Sequence, residues 1–144
     1  MKATDSPIIV KQFFKLDSLS VWDAITNHQL MIQWYFNNIP DFKAEVGFKT
    51  QFNVKAPSRD FLHIWEVTNV IPLKKITYNW TFKDIKGSSD VTFELIEQND
   101  GTLLRVSNVV IEDFNDNIPE FKSESCLMGW KYFINEQLVS FLSK

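Results

Sequence analysis

The C-terminal segment of this sequence carries one apolar stripe, and a stripe must be covered by something. Leu127, Trp130, Ile134, Leu138 and Phe141 recur at spacings of three and four, which puts them on a single face of a helix. Ahead of them, Asn117-Ile118-Pro119-Glu120 has the form of a capping box, with Asn as cap, Glu three residues on and Pro in the first turn. The spacing predicts a helix of about 25 residues, on the order of 37 Å, long enough to cross a domain. The rest of the chain has to provide the surface on which this helix rests.

That surface reads as a sheet. Ile8 to Leu16 is rich in β-branched and aromatic residues and runs into Asp17-Ser18, a helix start. Val21, Trp22 and Ile25 then fall at helical spacing, and Asn27 can cap a second short helix with Leu30, Met31 and Trp34. After Pro40 the period becomes two. Phe48, Phe52 and Val54 alternate with Lys49, Gln51 and Asn53, and Ile76, Tyr78, Trp80 and Phe82 alternate with Thr77, Asn79 and Thr81. Phe61 to Ile71 is apolar on both faces apart from Glu66, and Pro72 interrupts it. Val91 to Glu97 and Leu103 to Val110 flank Asn99-Asp100-Gly101, whose Asp-Gly pair is expected to supply the positive φ angles of a tight hairpin. The order of strand, two short helices, a succession of hairpin strands and a long helix gives an α+β architecture, an antiparallel sheet of about six to seven strands covered by the helix.

Length and charge narrow the function classes. A chain of 144 residues has the size of one ordinary domain, expected to span residues 1–144. Its net charge is −3, and its only arginines are Arg59 and Arg105, so there is no basic stripe and nucleic acid is not an expected partner. The single Cys126 cannot form an internal bridge, and Met1 to Pro7 lacks a signal-peptide apolar core. A reducing cytoplasm is therefore expected. No apolar run approaches the roughly 18 residues of a membrane span. Thirteen Phe and five Trp imply either a bulky core or an aromatic-lined cavity.

Several of these residues also carry a resemblance. Val21-Trp22-Asp23-Ala24-Ile25-Thr26 with Trp34, Pro72 with Ile76-Thr77-Tyr78-Asn79-Trp80, Gly101-Thr102-Leu103-Leu104 and Gly129-Trp130 resemble the pattern of the START-like superfamily. Within it they are most similar to the branch of the C-terminal domain of the activator of the heat-shock protein 90 ATPase. The resemblance implies a helix-grip fold, a curved sheet gripping the C-terminal helix, often around a hydrophobic cavity. Its members include lipid carriers, hormone-binding proteins, polyketide cyclases and chaperone activators, so the fold alone does not settle a function. The eukaryotic activators have a separate N-terminal domain for which 144 residues leave no room.

Residues suited to chemistry are few. Only His28 and His63 could act near neutral pH, and His63 alternates with Phe61 and Trp65 in one strand, where it reads as a packed or hydrogen-bonded ring. Cys126 reads as a packed thiol. Glu112, Asp113 and Asp116 form an acidic loop without the glycine and terminal glutamate of a calcium site. No His or Cys pair has metal-ligand spacing, and the four isolated glycines make no phosphate-cradling loop. No catalytic residue, metal or cofactor is predicted. Trp34, Phe36, Phe52, Tyr78, Trp80 and Phe133 are the candidate lining of a cavity under the last helix. Asn108 is a candidate polar anchor there, and Glu66 is a carboxyl that matters only if it faces inward. The leading expectation is non-catalytic binding of a small hydrophobic or amphipathic ligand. A protein-interaction module, co-chaperone-like, comes second, and a cyclase or hydrolase-like enzyme using Glu66 or His63 third.

Overall fold

Asp17 ends the first strand and starts the first helix. In a computed structural model describing residues 1–144, its carboxylate accepts the Ser20 amide at 2.8 Å, which caps α1 (Ser18–Thr26) after β1 (Ile8–Phe14). Asn27 repeats the device for α2 (His28–Trp34), accepting the Gln29 amide at 3.0 Å. The two helices bury Val21, Ala24, Ile25, Met31 and Trp34.

Five strands then follow as a meander: β2 (Lys49–Lys55), β3 (Asp60–Ile71), β4 (Lys75–Phe82), β5 (Ile85–Gln98) and β6 (Gly101–Glu112). With β1 they make one six-stranded antiparallel sheet in the order β1-β6-β5-β4-β3-β2. The chain thus returns β1 to the free side of β6, and α1 and α2 carry the connection from one sheet edge to the other. Register follows the side-chain period. Trp65 stands opposite Trp80, Tyr78 opposite Val91 and Phe93 opposite Val106, and all of these are buried on the inner face.

The C-terminal helix lies across that face. It begins with α3 (Ser123–Lys131), passes through a π-helical segment (Tyr132–Gln137) and ends with α4 (Leu138–Leu142), segments of nine, six and five residues. Trp130, Ile134 and Leu138 are buried, while Leu127 and Phe141 at the ends of the stripe are half-buried. The helix also covers the sheet edge: Asn135 Nδ2 donates to the Lys11 carbonyl of β1 at 2.9 Å, so this edge is partly paired.

Two local expectations are corrected. Asn117 does not cap the long helix, because Pro119–Phe121 forms a separate 3-10 turn and Lys122 is extended before α3 starts. The break lets Ile118 and Phe121 turn into a second hydrophobic cluster with Phe61, Val110 and Phe114. At the β5–β6 hairpin neither Asn99, Asp100 nor Gly101 has positive φ. Gly101 is required there for another reason, since a Cβ would lie 2.1 Å from the Phe14 carbonyl oxygen. No helix is long and apolar enough to cross a membrane.

Trp130 joins helix and sheet, with ring centroids 5.8 Å from Phe93 and 5.9 Å from Trp80. Trp130→Ala is expected to destabilise the protein by about 3–5 kcal/mol, measured as the shift of the denaturant midpoint at constant m. A loss below about 1 kcal/mol would show that the helix does not pack through this residue.

Candidate functional site

Along β5 the inward side chains shrink toward one end, from Leu95, Phe93 and Val91 to Ser89, and Gly129 lies in the covering helix. Where these small residues come together, a cavity of about 230 Å³ remains between the sheet and the C-terminal helix. The sheet lines it with Phe61, His63, Trp80 and Phe82 beside Ser89 and Asn108. The helix adds Cys126, Gly129, Trp130 and Phe133, and the segment before it adds Phe114 and Phe121. The cavity is therefore the seam between the main core, which holds Trp80 and Trp130, and the small cluster of Phe61, Phe114 and Phe121. A Cβ at Gly129 would meet no atom within 4 Å, so its missing side chain is part of the open space.

Few polar groups interrupt this apolar lining. His63 is buried, and its Nδ1 accepts the Trp80 indole N–H at 3.1 Å. In the neutral ring the proton must then sit on Nε2, which makes that nitrogen a donor. Burial pushes the His63 pKa down to about 3, so the ring is uncharged at neutral pH. Burial also pushes the Cys126 thiol up to about 11. Asn108 is 6% exposed; its Nδ2 donates to Cys126 Sγ at 3.5 Å, and its Oδ1 has no partner. Glu120 stands at the margin, where it accepts from Ser58 Oγ at 2.6 Å and from the Ser58 amide at 3.1 Å. These bonds hold its pKa below the usual carboxylate range.

The sequence candidates separate clearly. Phe36, Trp80, Asn108 and Phe133 line the cavity. Trp34, Phe52 and Tyr78 do not; Phe52 and Tyr78 belong to the packed core, and Trp34 borders a separate, more open groove between the end of α2 and the C-terminal helix. The Trp34 indole donates to the Ala24 carbonyl at 2.7 Å, Phe52 packs edge-on to Trp65 with centroids 4.9 Å apart, and the Tyr78 hydroxyl meets that of Tyr35 at 2.8 Å. Glu66 is on the opposite face of the sheet, its carboxylate 3.9 Å from Lys49 Nζ and half exposed. The period of two requires this, since His63, Trp65 and Val67 point inward and Glu66 lies between the last two. Sequence reasoning missed Ser89, Gly129, Phe114 and Phe121 as lining residues. A glycine inside a helix and a serine among large inward residues were the available signals. The acidic loop, for its part, holds the N-terminal residues in place. Asp113 accepts the Ala3 amide at 2.7 Å, and Asp116 lies within 4.0 Å of the Met1 amine and of Lys2.

Comparison with known proteins places the chain. The search of curated proteins gave no match. Among solved structures, CV1439 of Chromobacterium violaceum superposes with a TM-score of 0.77 at 19% identity, over 96% of this chain and 97% of that one. MLL2253 of Mesorhizobium loti gives 0.73 at 27% identity, over 96% and 97% of the two chains. DynU16, a protein of the dynemicin biosynthetic locus, gives 0.77 at 20% identity over 97% of this chain but 48% of its own, so this chain spans about half the length of DynU16. A family model described as activator of Hsp90 ATPase homolog 1-like protein matches residues 17–143. Because that match runs from the cap of α1 to the end of the C-terminal helix, and the sheet grips that helix as in the START-like fold, the chain belongs to the family of activator of Hsp90 ATPase homolog 1-like proteins.

Proposed function

We propose that this protein binds a small apolar or amphipathic molecule, without transforming it, in the cavity between the sheet and the C-terminal helix. The observation that carries this reading is the seam itself, about 230 Å³ of space walled largely by aromatic rings. An apolar, aromatic-lined recess that reaches the surface beside Glu120 has the form in which proteins take up small molecules. Gly129 supports the same reading. Glycine in a helix is destabilising by roughly 0.5–1 kcal/mol relative to alanine, and at this position a larger side chain would occupy the space.

The groups near the cavity are poorly suited to catalysis. His63, with a pKa near 3, is a weak base at neutral pH, and the Cys126 thiol stays protonated. Glu66, the carboxyl considered for enzyme chemistry, is on the far face. A protein-interaction role is the second reading, favoured by Ile9, Val109 and Ile111, which stand exposed on β1 and β6.

The binding reading is tested by native mass spectrometry of the purified protein together with a thermal-shift screen of apolar compounds. A ligand that binds only the folded state should add about 2.7 kcal/mol at one hundred times its Kd. Gly129→Leu is expected to fold normally and to lose that shift. An equal shift in wild type and variant would place binding elsewhere, and no ligand in either experiment would leave the interaction reading in its place.

Burial of His63 also predicts a pH dependence. The folded state resists protonation down to about pH 3, whereas the unfolded chain takes up the proton near pH 6.5. Stability that is complete above pH 6.5 is therefore lost as the pH falls toward 3, with a slope approaching about 1.4 kcal/mol per pH unit between pH 6 and 4.5. Denaturant titrations across that window should show a shallower slope for His63→Gln, which keeps an acceptor for Trp80 without the titration. Equal slopes would contradict the burial of the ring.

A further inference from the structure

His63 stands in the cavity wall with one hydrogen bond made and one left to give. Its Nδ1 accepts the Trp80 indole N–H at 3.1 Å, and an indole only donates, so the proton of the neutral ring sits on Nε2. That N–H has no partner in the protein. The residue is 8% exposed, yet Nε2 keeps accessible surface, unlike Asn108 Oδ1 and the Trp65 indole nitrogen, which are unpaired and sealed. Aromatic neighbours hold the ring. Phe52 stacks on it with centroids 5.3 Å apart and 19° between planes, and Phe82 meets it edge-on at 4.8 Å. The donor is therefore in place before any ligand arrives. The rest of the wall narrows what can meet it. Ser89 also lines the cavity, opposite Trp80 on the neighbouring strand, but a hydroxyl donates or accepts and so imposes no choice. No lysine or arginine lines the wall. The Met1 amine is engaged by the Phe121 carbonyl at 2.9 Å and by Asp116 at 4.0 Å, and the Glu120 carboxylate at the margin is held by Ser58. A buried donor without an acceptor is unfavourable, and a site built around one favours molecules that complete it.

We infer that the cavity selects an uncharged molecule with an apolar body and a hydrogen-bond acceptor, such as an aromatic ketone, whose oxygen accepts from His63 Nε2–H. This rests on the cavity being the binding site and adds the chemistry of its occupant. It sets carboxylates apart, because an unpaired charge would have to leave water for a site with no counter-charge. The volume of about 230 Å³ suits a substituted benzene, since an apolar cavity of about 150 Å³ accepts benzene itself.

The test titrates isotope-labelled protein at neutral pH, followed by NMR, with acetophenone, with α-methylstyrene, in which a methylene replaces the carbonyl oxygen, and with benzoate. The two neutral probes share one shape, so their affinity ratio isolates the acceptor. In His63→Phe that ratio is expected to fall about tenfold against the ketone, while in Ser89→Ala it stays within about twofold. Benzoate should bind at least about tenfold more weakly than acetophenone. In the wild-type protein the His63 Nε2 resonance should move with acetophenone and much less with α-methylstyrene, a readout that does not need a variant to fold. His28, the only other histidine, serves as the internal reference. An unchanged ratio in folded His63→Phe, or an Nε2 resonance that answers both neutral probes alike, overturns the inference with the cavity reading intact. A ratio lost in Ser89→Ala instead, or tightest binding by benzoate, also overturns it. Binding of no probe, or equal binding to Gly129→Leu, removes the cavity reading and this inference with it.

Discussion

The packing of Trp130, Ile134 and Leu138 onto the inner face of the sheet is the contact on which the rest of the structure depends. A six-stranded antiparallel sheet with Trp65, Tyr78, Phe93 and Leu104 on one face cannot leave that face in water, and the two short helices cover only part of it. The C-terminal helix supplies the remaining cover, and Asn135 ties it to the carbonyl of Lys11 at the sheet edge. Each buried aromatic or aliphatic side chain contributes on the order of 1.5–3 kcal/mol from burial. The contact is also long-range in sequence, so the grip closes only when both ends of the chain are present.

The same contact explains where the cavity lies. Through Trp130, Ile134 and Leu138 the helix meets large inward side chains, and beside Tyr132, Phe133 and Gln137 an open groove separates it from the end of α2. Near its N-terminal end it passes Ser89 and contributes Gly129 itself, and the chain before it has been drawn away to bury Ile118 and Phe121 in the second cluster. Two hydrophobic clusters share Phe82 at their boundary, and the volume that neither fills is the cavity. Its polar groups follow from sheet geometry. Asn108 and His63 occupy inward positions by parity, and burial then leaves a neutral ring and an amide whose oxygen is unpaired and sealed.

Much of the fold was legible because its signals are local. The caps at Asp17 and Asn27, the alternation through Ile76 to Phe82 and the three-four spacing of the last helix each depend on neighbours within a turn or a strand. The start of that helix was misread because Pro119 and Glu120 satisfy a local rule, while the break at Lys122 answers to distant Phe61 and Val110. Gly101 was placed correctly in its hairpin for the wrong reason, since its small size answers to Phe14 on another strand. For the candidate site, Trp80, Phe36, Phe133 and Asn108 were recognisable as large or polar residues on the inward face. Which face of β3 Glu66 takes was open in the sequence, because that strand is apolar on both faces, and the structure puts His63 and Trp65 inward and Glu66 out. What could not be read is the void, which arises from side chains that are small, Ser89 and Gly129, and from loop aromatics, Phe114 and Phe121, whose position depends on the whole fold.

The central claim is that helix and sheet, though they grip each other, leave an apolar space between two aromatic clusters. Xenon enters dry apolar cavities and is readily located by its scattering. A crystal structure of the unliganded protein under xenon pressure is therefore predicted to show a bound atom among Trp80, Phe114 and Trp130, with Gly129 open beside it. A crystal in which Phe133 and Trp130 close down on Ser89, leaving no volume beyond a water molecule and no xenon, would contradict the account.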